Sequence, residues 1–223
     1  MNLPATENSD IAIARQPLHT LVAERLRDMI IEGRLAPGDP VNESVLCQEM
    51  GVSRTPMREA VRMLASEGLI VLRPGRSTAV RKFSQEEVRD MLDVVAELEA
   101  LAGRQACRSA SDAEIAAIVD LHERMMAHYK AGERLDYYKL NQRIHSAIVE
   151  ASGNASLAEV HDLLQARMKR IRFVGNAGKE KWRGAVDEHE AMIDALRARD
   201  GDRLADVLRR HLSNTWTRVA DSV

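Results

Sequence analysis

The sequence predicts a mainly α-helical chain in two parts, a small N-terminal helical domain closed by one β-hairpin and a longer bundle built of helices alone. Three observations carry this reading. From Leu18 onward, apolar residues recur at helical intervals almost to the end of the chain. One stretch departs from that period: Leu69-Ile70-Val71-Leu72, then Arg73-Pro74-Gly75-Arg76, then Ser77-Thr78-Ala79-Val80, which is apolar strand, turn and β-branched strand. Gly, Pro, Ser and Asn clusters interrupt the helical period at regular places.

Residues 1–16 are mixed and weakly patterned and read as a flexible arm. Leu18, Leu21, Val22, Leu26, Met29 and Ile30 give the first helix, which stops at Gly33 before a Pro37-Gly38 turn. A short helix over Glu43–Met50 follows, with Asn42 as its cap, then a Gly51-Val52-Ser53 break and a third helix from Arg54 to Glu67 that Gly68 ends. With the hairpin, this makes a first domain over 17–82. Ser84 stands three residues before Glu87, a capping-box spacing that opens a helical domain over 83–223. Breaks near Ser109–Ser111, Gly132-Glu133, Ser152–Asn154, Gly175–Gly178 and Asp200-Gly201 divide it into about six helices.

Composition narrows the function. The chain has 223 residues, 45% hydrophobic and 30% charged, an ordinary balance for a globular core. Net charge is −2, so a nucleic-acid contact must come from a local basic face. Aromatic residues make up 3%, which argues against stacking on single-stranded bases. Cys47 and Cys107 fall inside helical patterns without CxxC spacing and read as reduced core thiols. No apolar run has the length of a membrane span, and the polar N-terminus has no secretory h-region, so a cytoplasmic protein is expected.

Helix, short helix, Gly-containing turn, helix and hairpin is the order of a winged helix-turn-helix. Arg54, Arg58 and Arg62 are spaced by four on the third helix and share one side, with Val61, Leu64 and Ala65 on the core side. Such a row, with Ser53 capping the helix through its hydroxyl and Thr55 beside it, suits the major groove. There arginine bridges guanine O6 and N7 while hydroxyls and N–H groups hold phosphates. The competing reading is a solvated basic face with helical pairs between Glu59 and Arg62 or Arg58. Arg76 beside Gly75 at the hairpin tip is where a wing would approach the DNA.

Residues Leu26–Val80 resemble the DNA-binding domain of the GntR superfamily of bacterial regulators. The resemblance lies in Gly33-Arg34-Leu35-Ala36-Pro37-Gly38, Gly51-Val52-Ser53-Arg54-Thr55-Pro56, Arg58-Glu59-Ala60, Glu67-Gly68-Leu69 and Arg73-Pro74-Gly75-Arg76. It implies DNA contacts at Arg54, Thr55, Arg58, Gly75 and Arg76, with Ser53 at the helix start.

In the helical domain, histidines fall on apolar stripes. Asn141 and His145 are spaced by four beside Leu140, Ile144 and Ile148; His189 continues Trp182 and Val186 toward Ile193 and Leu196; His211 continues Leu204 and Leu208 toward Thr215. A core histidine needs partners for its nitrogens. Convergence on one divalent ion would supply them, and so would separate hydrogen bonds; His122 and His161 also lie near apolar stripes, so position alone does not choose.

The whole stretch from Ser84 resembles the FCD domain of the FadR branch of GntR regulators. Its matching pieces are Glu97-Leu98-Glu99, Asn141-x-x-x-His145, Ala151-Ser152-Gly153-Asn154, Glu188-His189 and the Gly201-Asp202 turn before His211. The resemblance implies an all-helical bundle that holds a divalent metal, zinc or nickel, on Asn141, His145, His189 and His211, with the neutral Asn141 in place of the family's common aspartate.

It further implies a small-molecule effector, an organic acid, bound near the metal. Arg143, Arg167 and Arg172 are candidates to grip its carboxylate, and Arg172 is the one selected. The expected partners are a palindromic double-stranded operator, read by a homodimer whose recognition helices sit about 10 bp apart, and this effector, with no membrane. Repression is the expected outcome. Two rival readings are a metal-dependent enzyme using the histidines, with Glu188 or Glu190 as base, and an architectural DNA binder without a ligand.

Overall fold

A computed structural model describes residues 16–72, 78–175 and 179–220. The helices are α1 (Leu18–Glu32), α2 (Glu43–Met50), α3 (Arg54–Ser66), α4 (Gln85–Ser109), α5 (Asp112–Ala131), α6 (Arg134–Ala151), α7 (Ala155–Gly175), α8 (Lys179–Arg197) and α9 (Gly201–Val219). Two short strands, β1 (Ile70–Val71) and β2 (Ala79–Val80), stand between α3 and α4.

The first domain forms around α1 and α3. Val22, Leu26, Met29 and Ile30 of α1 meet Met57, Ala60, Val61 and Leu64 of α3 in one buried cluster. Arg27 donates from Nε and Nη2 to the two carboxylate oxygens of Glu67 at 3.0 and 2.6 Å, fastening α1 to the end of α3. Asn42 caps α2, its Oδ1 accepting from the N–H groups of Ser44 and Val45. Ser53 stands at the N-cap of α3 in extended backbone, yet its side chain makes no capping hydrogen bond, contrary to the sequence reading. Cys107 is buried as expected; Cys47 is only partly so.

The strands are shorter than the pattern suggests. Among the described residues, β1 and β2 pair antiparallel at Ile70 with Val80 and Val71 with Ala79, and Pro40 forms a bridge with Ala79. The segment after the Pro37-Gly38 turn adds what strand length does not: the N–H of Val80 donates to Asp39 O at 2.9 Å and that of Val41 to Thr78 O at 2.7 Å. The tip, including Gly75 and Arg76, lies outside the described residues.

In the helical domain, Ser84 with Glu87 and Ser111 with Glu114 form complete capping boxes at the starts of α4 and α5. The long α4 buries Val88, Leu92, Val95, Glu99, Ala102 and Ala106, one stripe at three- and four-residue steps. It lies close against α9 because Gly103 has no side chain: a Cβ there would sit 3.0 Å from Leu204 Cγ and from Leu208 Cδ1. Among the described residues, no helix is long and apolar enough to cross a membrane.

Helix α7 joins the two domains. Arg170 Nη1 donates to the carbonyls of Ile30 and Ile31 at 2.8 and 3.1 Å, where the end of α1 leaves acceptor capacity; Ile30 also accepts from the N–H of Gly33. Gly33, at φ +84°, and Gly68, at φ +76°, make this approach possible; a Cβ on Gly33 would lie 3.0 Å from Arg170 Nη1, and one on Gly68 3.0 Å from Arg167 Nε. Ile31 packs with Tyr138 and Phe173, and Lys139 pairs with Asp28 at 2.8 Å.

Leu204 and Leu208 are fully buried, so neither can move aside for a larger residue at 103. Gly103→Val should therefore destabilise the protein by about 2 kcal/mol or more through overpacking, read as a lower midpoint in urea denaturation.

Candidate functional site

The outer face of α3 carries Ser53, Arg54, Thr55, Arg58 and Arg62, all exposed, while Met57, Ala60, Val61 and Leu64 face the core. The pairs expected within α3 do not form. Glu59 instead meets His19 Nδ1 of α1 at 3.3 Å, and Arg58 Nε meets Glu43 of α2 at 3.5 Å. Because these contacts are long and exposed, they hold the arginines only loosely. The helix thus offers a cationic surface with hydroxyls at its N-terminal end, the arrangement that a major groove accepts.

The second site is inside the bundle. Helices α6, α8 and α9 bring His145, His189 and His211 together, with ring centroids 5.0–5.2 Å apart. One ring nitrogen of each lies within 4.8 Å of the others. All three are buried, and so is Asn141, one turn before His145. The Asn141 amide sits 3.0 Å from His189 Nε2 and accepts from Gln142 Nε2 through Oδ1 at 3.3 Å.

Two carboxylates orient the rings from behind. His145 Nδ1 donates to Glu99 Oε2 at 2.8 Å, and His211 Nδ1 donates to Glu188 Oε2 at 2.6 Å. These bonds fix the proton on Nδ1 and leave the lone pair on Nε2, the form that binds a metal. His145 Nε2 and His189 Nδ1 are buried without hydrogen-bond partners. The group therefore offers three imidazoles and, at His145 Nε2, an orphaned lone pair, a donor set that fits a divalent metal, while His189 Nε2 is taken by the Asn141 amide and its Nδ1 carries the proton.

Electrostatics keep the rings neutral. Burial lowers His145 to about 3, assisted by Arg172 and His211 and only partly opposed by Glu99. Burial also lowers His189 well below the usual range, with the neighbouring histidines and Arg172 adding to the effect, and lowers His211 despite the opposing carboxylate of Glu188. The carboxylates move the other way from what burial alone would do. Burial opposes the charge on Glu99, but Arg172, His145 and His161 outweigh it and hold the carboxyl well below its usual range. At Glu188, His211 and Arg218 likewise overcome burial and bring the value to about 2.

Arg172, the selected effector residue, is buried at 3% exposure and not at the surface where most arginines lie. Its Nη2 donates to Glu99 Oε1 at 2.6 Å, while Nε and Nη1 are buried and have no partner. Arg143 pairs with Glu150 on the exposed side of α6, and Arg167 lies against Gly68, so neither joins the histidines. His161 Nε2 bonds Glu99 Oε1 at 3.1 Å and belongs to the orienting shell.

The sequence reading missed the parts played by Glu99 and Glu188. The signal for Glu99 was a carboxylate inside the apolar stripe of α4; its neighbour Glu97 faces outward to Arg209. Glu188 is committed to His211, Asn214 and Arg218, and Glu190 is exposed, so neither stands as a free base.

A cationic helix on a winged helix-turn-helix, joined to a helical domain with a buried histidine cluster, is the architecture of a DNA-binding transcription regulator. Comparison with known proteins agrees. Residues 18–80 match the family described as bacterial regulatory proteins, gntR family, and residues 90–214 match the FCD domain; the chain belongs to the GntR regulators that carry an FCD domain.

Among curated relatives, the chain is 28% identical to the "Probable D-xylose utilization operon transcriptional repressor" of Paenarthrobacter nicotinovorans, over 95% of this chain and 94% of that one. It is 26% identical to the HTH-type transcriptional repressor RspR of Escherichia coli K12, over 88% and 86%. Among solved structures, E. coli McbR/YncC shares the fold with a TM-score of 0.75 at 22% identity, covering 89% of this chain and 95% of that one.

Because the histidine values are depressed below 6.5 in the folded state, the unfolded chain binds more protons in the window from about 6.5 down to about 3. Their contribution is complete above that window and is lost as pH falls through it. For metal-free protein, the urea midpoint should drop between about pH 7 and about pH 5, and His189→Gln should flatten that slope.

Proposed function

We propose that this protein is a metal-containing, metabolite-responsive repressor that binds a palindromic operator as a homodimer. The observation that carries the reading is the buried triangle of His145, His189 and His211, oriented by Glu99 and Glu188, beside an arginine with two unpartnered N–H groups.

The three histidines would hold zinc or nickel, and Asn141 would turn its amide to offer Oδ1 as a fourth, neutral ligand. A bound divalent ion supplies positive charge that attracts an anionic ligand. Arg172 adds a fixed positive charge: Nη2 is held by Glu99, and Nη1 or Nε remains to donate a single hydrogen bond to the carboxylate of an organic acid. A ligand drawing on Arg172 pulls on α7. Two residues earlier, Arg170 of the same helix grips the last carbonyls of α1, so a small displacement of α7 reaches the DNA-binding domain through a direct hydrogen bond. In this reading the carboxylate changes the placement of the two recognition helices and loosens operator binding.

The dimer has a surface available to it. Val94 and Leu101 on α4 and Val160 and Leu163 on α7 are 43–50% exposed, although both helices belong to the bundle core. Leu98, between the first two, packs against Leu157 and Ala158 of α7, so the two exposed pairs stand on adjoining helices. Pairing of this face between two copies would place two DNA-binding domains on a two-fold axis. Arg54, Arg58 and Thr55, with Ser53 at the helix start, would then read each half-site.

Elemental analysis of the full-length protein should find about one divalent ion per chain, absent in His189→Ala. Asn141→Asp should tighten zinc or nickel binding by about tenfold or more, because a carboxylate replaces a neutral amide. Absence of metal from both the native protein and Asn141→Asp, each folded, would exclude the metal-containing reading. Arg58→Ala should cost about 1–3 kcal/mol in operator affinity, measured by fluorescence anisotropy at fixed salt, and leave the metal content unchanged.

A further inference from the structure

A cavity of about 280 Å³ lies at the junction of the two domains. Ile30, Pro37 and Leu69 of the DNA-binding domain form one wall; Phe83, Val88 and Ile171 form the other. Its polar lining is of one sign: Arg81, Lys82, Arg167 and Arg170 contribute, and no carboxylate does among the described lining residues.

These cations are unequally neutralised. Arg81 pairs with Glu87 at 3.2 Å and lies over the Phe83 ring at 4.6 Å. Arg170 spends Nη1 on the neutral carbonyls of Ile30 and Ile31, and Asp39, whose charge reaches it, accepts from the N–H of Ala36 through Oδ2. Arg167 Nε is buried without a hydrogen-bond partner. Lys82 is exposed at the rim and forms no ion pair with any described residue. Positive charge beside an apolar, partly enclosed space is costly until an anion enters.

We propose that this junction is a second ligand site, distinct from the histidine pocket, for a small amphipathic monoanion: a carboxylate on a compact aliphatic or aromatic body. Arg167 and Lys82 take the carboxylate, and Leu69, Val88 and Ile171 take the apolar part. The volume lies just below the range of about 300–1,000 Å³ usual for drug-sized ligands, which sets a small guest. Because its walls come from both domains, the bound anion holds them in one relative placement and so acts on operator binding. The site stands independently of any metal at the histidines.

The test is calorimetric titration of the full-length protein with octanoate, using 1-octanol and octyltrimethylammonium as uncharged and cationic controls. Octanoate should bind saturably with one site per chain, and both controls at least about tenfold more weakly. Lys82→Glu, a rim substitution that the fold tolerates, should weaken octanoate by about tenfold or more, as should Arg167→Gln, whereas His189→Ala should leave it unchanged. Three results would each overturn the proposal: no saturable binding at millimolar octanoate, equal binding of 1-octanol, or binding that survives Lys82→Glu and Arg167→Gln but is lost in His189→Ala. The last would place the acid in the histidine pocket instead.

Discussion

The helical domain depends on one buried carboxylate. Glu99 is 1% exposed, and a lone charge at that depth would cost several kcal/mol. It is compensated from three sides, by Arg172 and His161 of α7 and by His145 of α6. The same contacts dictate how α6 and α7 sit on α4. They also set the proton on His145 Nδ1, so that a single residue supplies both the register of three helices and the chemical state of the central histidine. Glu188 repeats the device on α8, where Arg218 balances its charge while it holds His211 of α9. The apolar core of the bundle therefore encloses a polar centre whose rings are kept neutral and whose carboxylates stay charged.

Helix α7 is where this interior meets the DNA-binding domain. Arg172 faces Glu99, Arg170 faces the end of α1 and Arg167 lies against Gly68, all within two turns. Guanidinium groups suit this duty because each presents several donors in a fixed plane and stays charged when partly buried. The acceptors on the α1 side are backbone carbonyls, which do not titrate and cannot move without α1. The end of α1 is thus tied directly to α7 by hydrogen bonds to its backbone. The two glycine turns matter for the same reason, since a side chain at either would push an arginine away.

The DNA-binding domain shows a different economy. The whole chain has a net charge of −2, yet α3 presents Arg54, Arg58 and Arg62 together on its exposed side. One loose ion pair to Glu43 restrains Arg58 without burying it, so the cost of releasing it to a phosphate or a base edge is small. The apolar half of the helix is anchored by Met57, Ala60, Val61 and Leu64, and the wing strands are steadied by the segment after Pro37-Gly38. A rigid base and a lightly held charged face are what sequence reading requires of such a helix.

The elements were legible in the sequence because they are set locally. Caps such as Asn42 and Ser84, stops such as Gly33 and Gly132, and apolar steps of three and four act within a turn or two, so α1 and α2, α3 to within a residue, and the breaks near Ser109–Ser111, Gly132, Ser152–Asn154 and Asp200 could be read directly. Local reasoning failed at two places: Ser53 stands at the N-cap of α3 without capping it, and Arg58 pairs with a distant carboxylate on α2 and not within its own helix. The histidines stood out as polar residues on apolar stripes, but the stripes of α6, α8 and α9 are far apart in the chain, and only their packing brings three ring nitrogens within 4.8 Å. Burial of Arg172, the engagement of Glu99 and Glu188, and the contact of α7 with α1 belong to the same class. The sequence by itself determined the helices, their order and the basic face of α3. Tertiary structure alone decided which polar side chains are buried together, because the free energy of a buried charge depends on partners that no local pattern encodes.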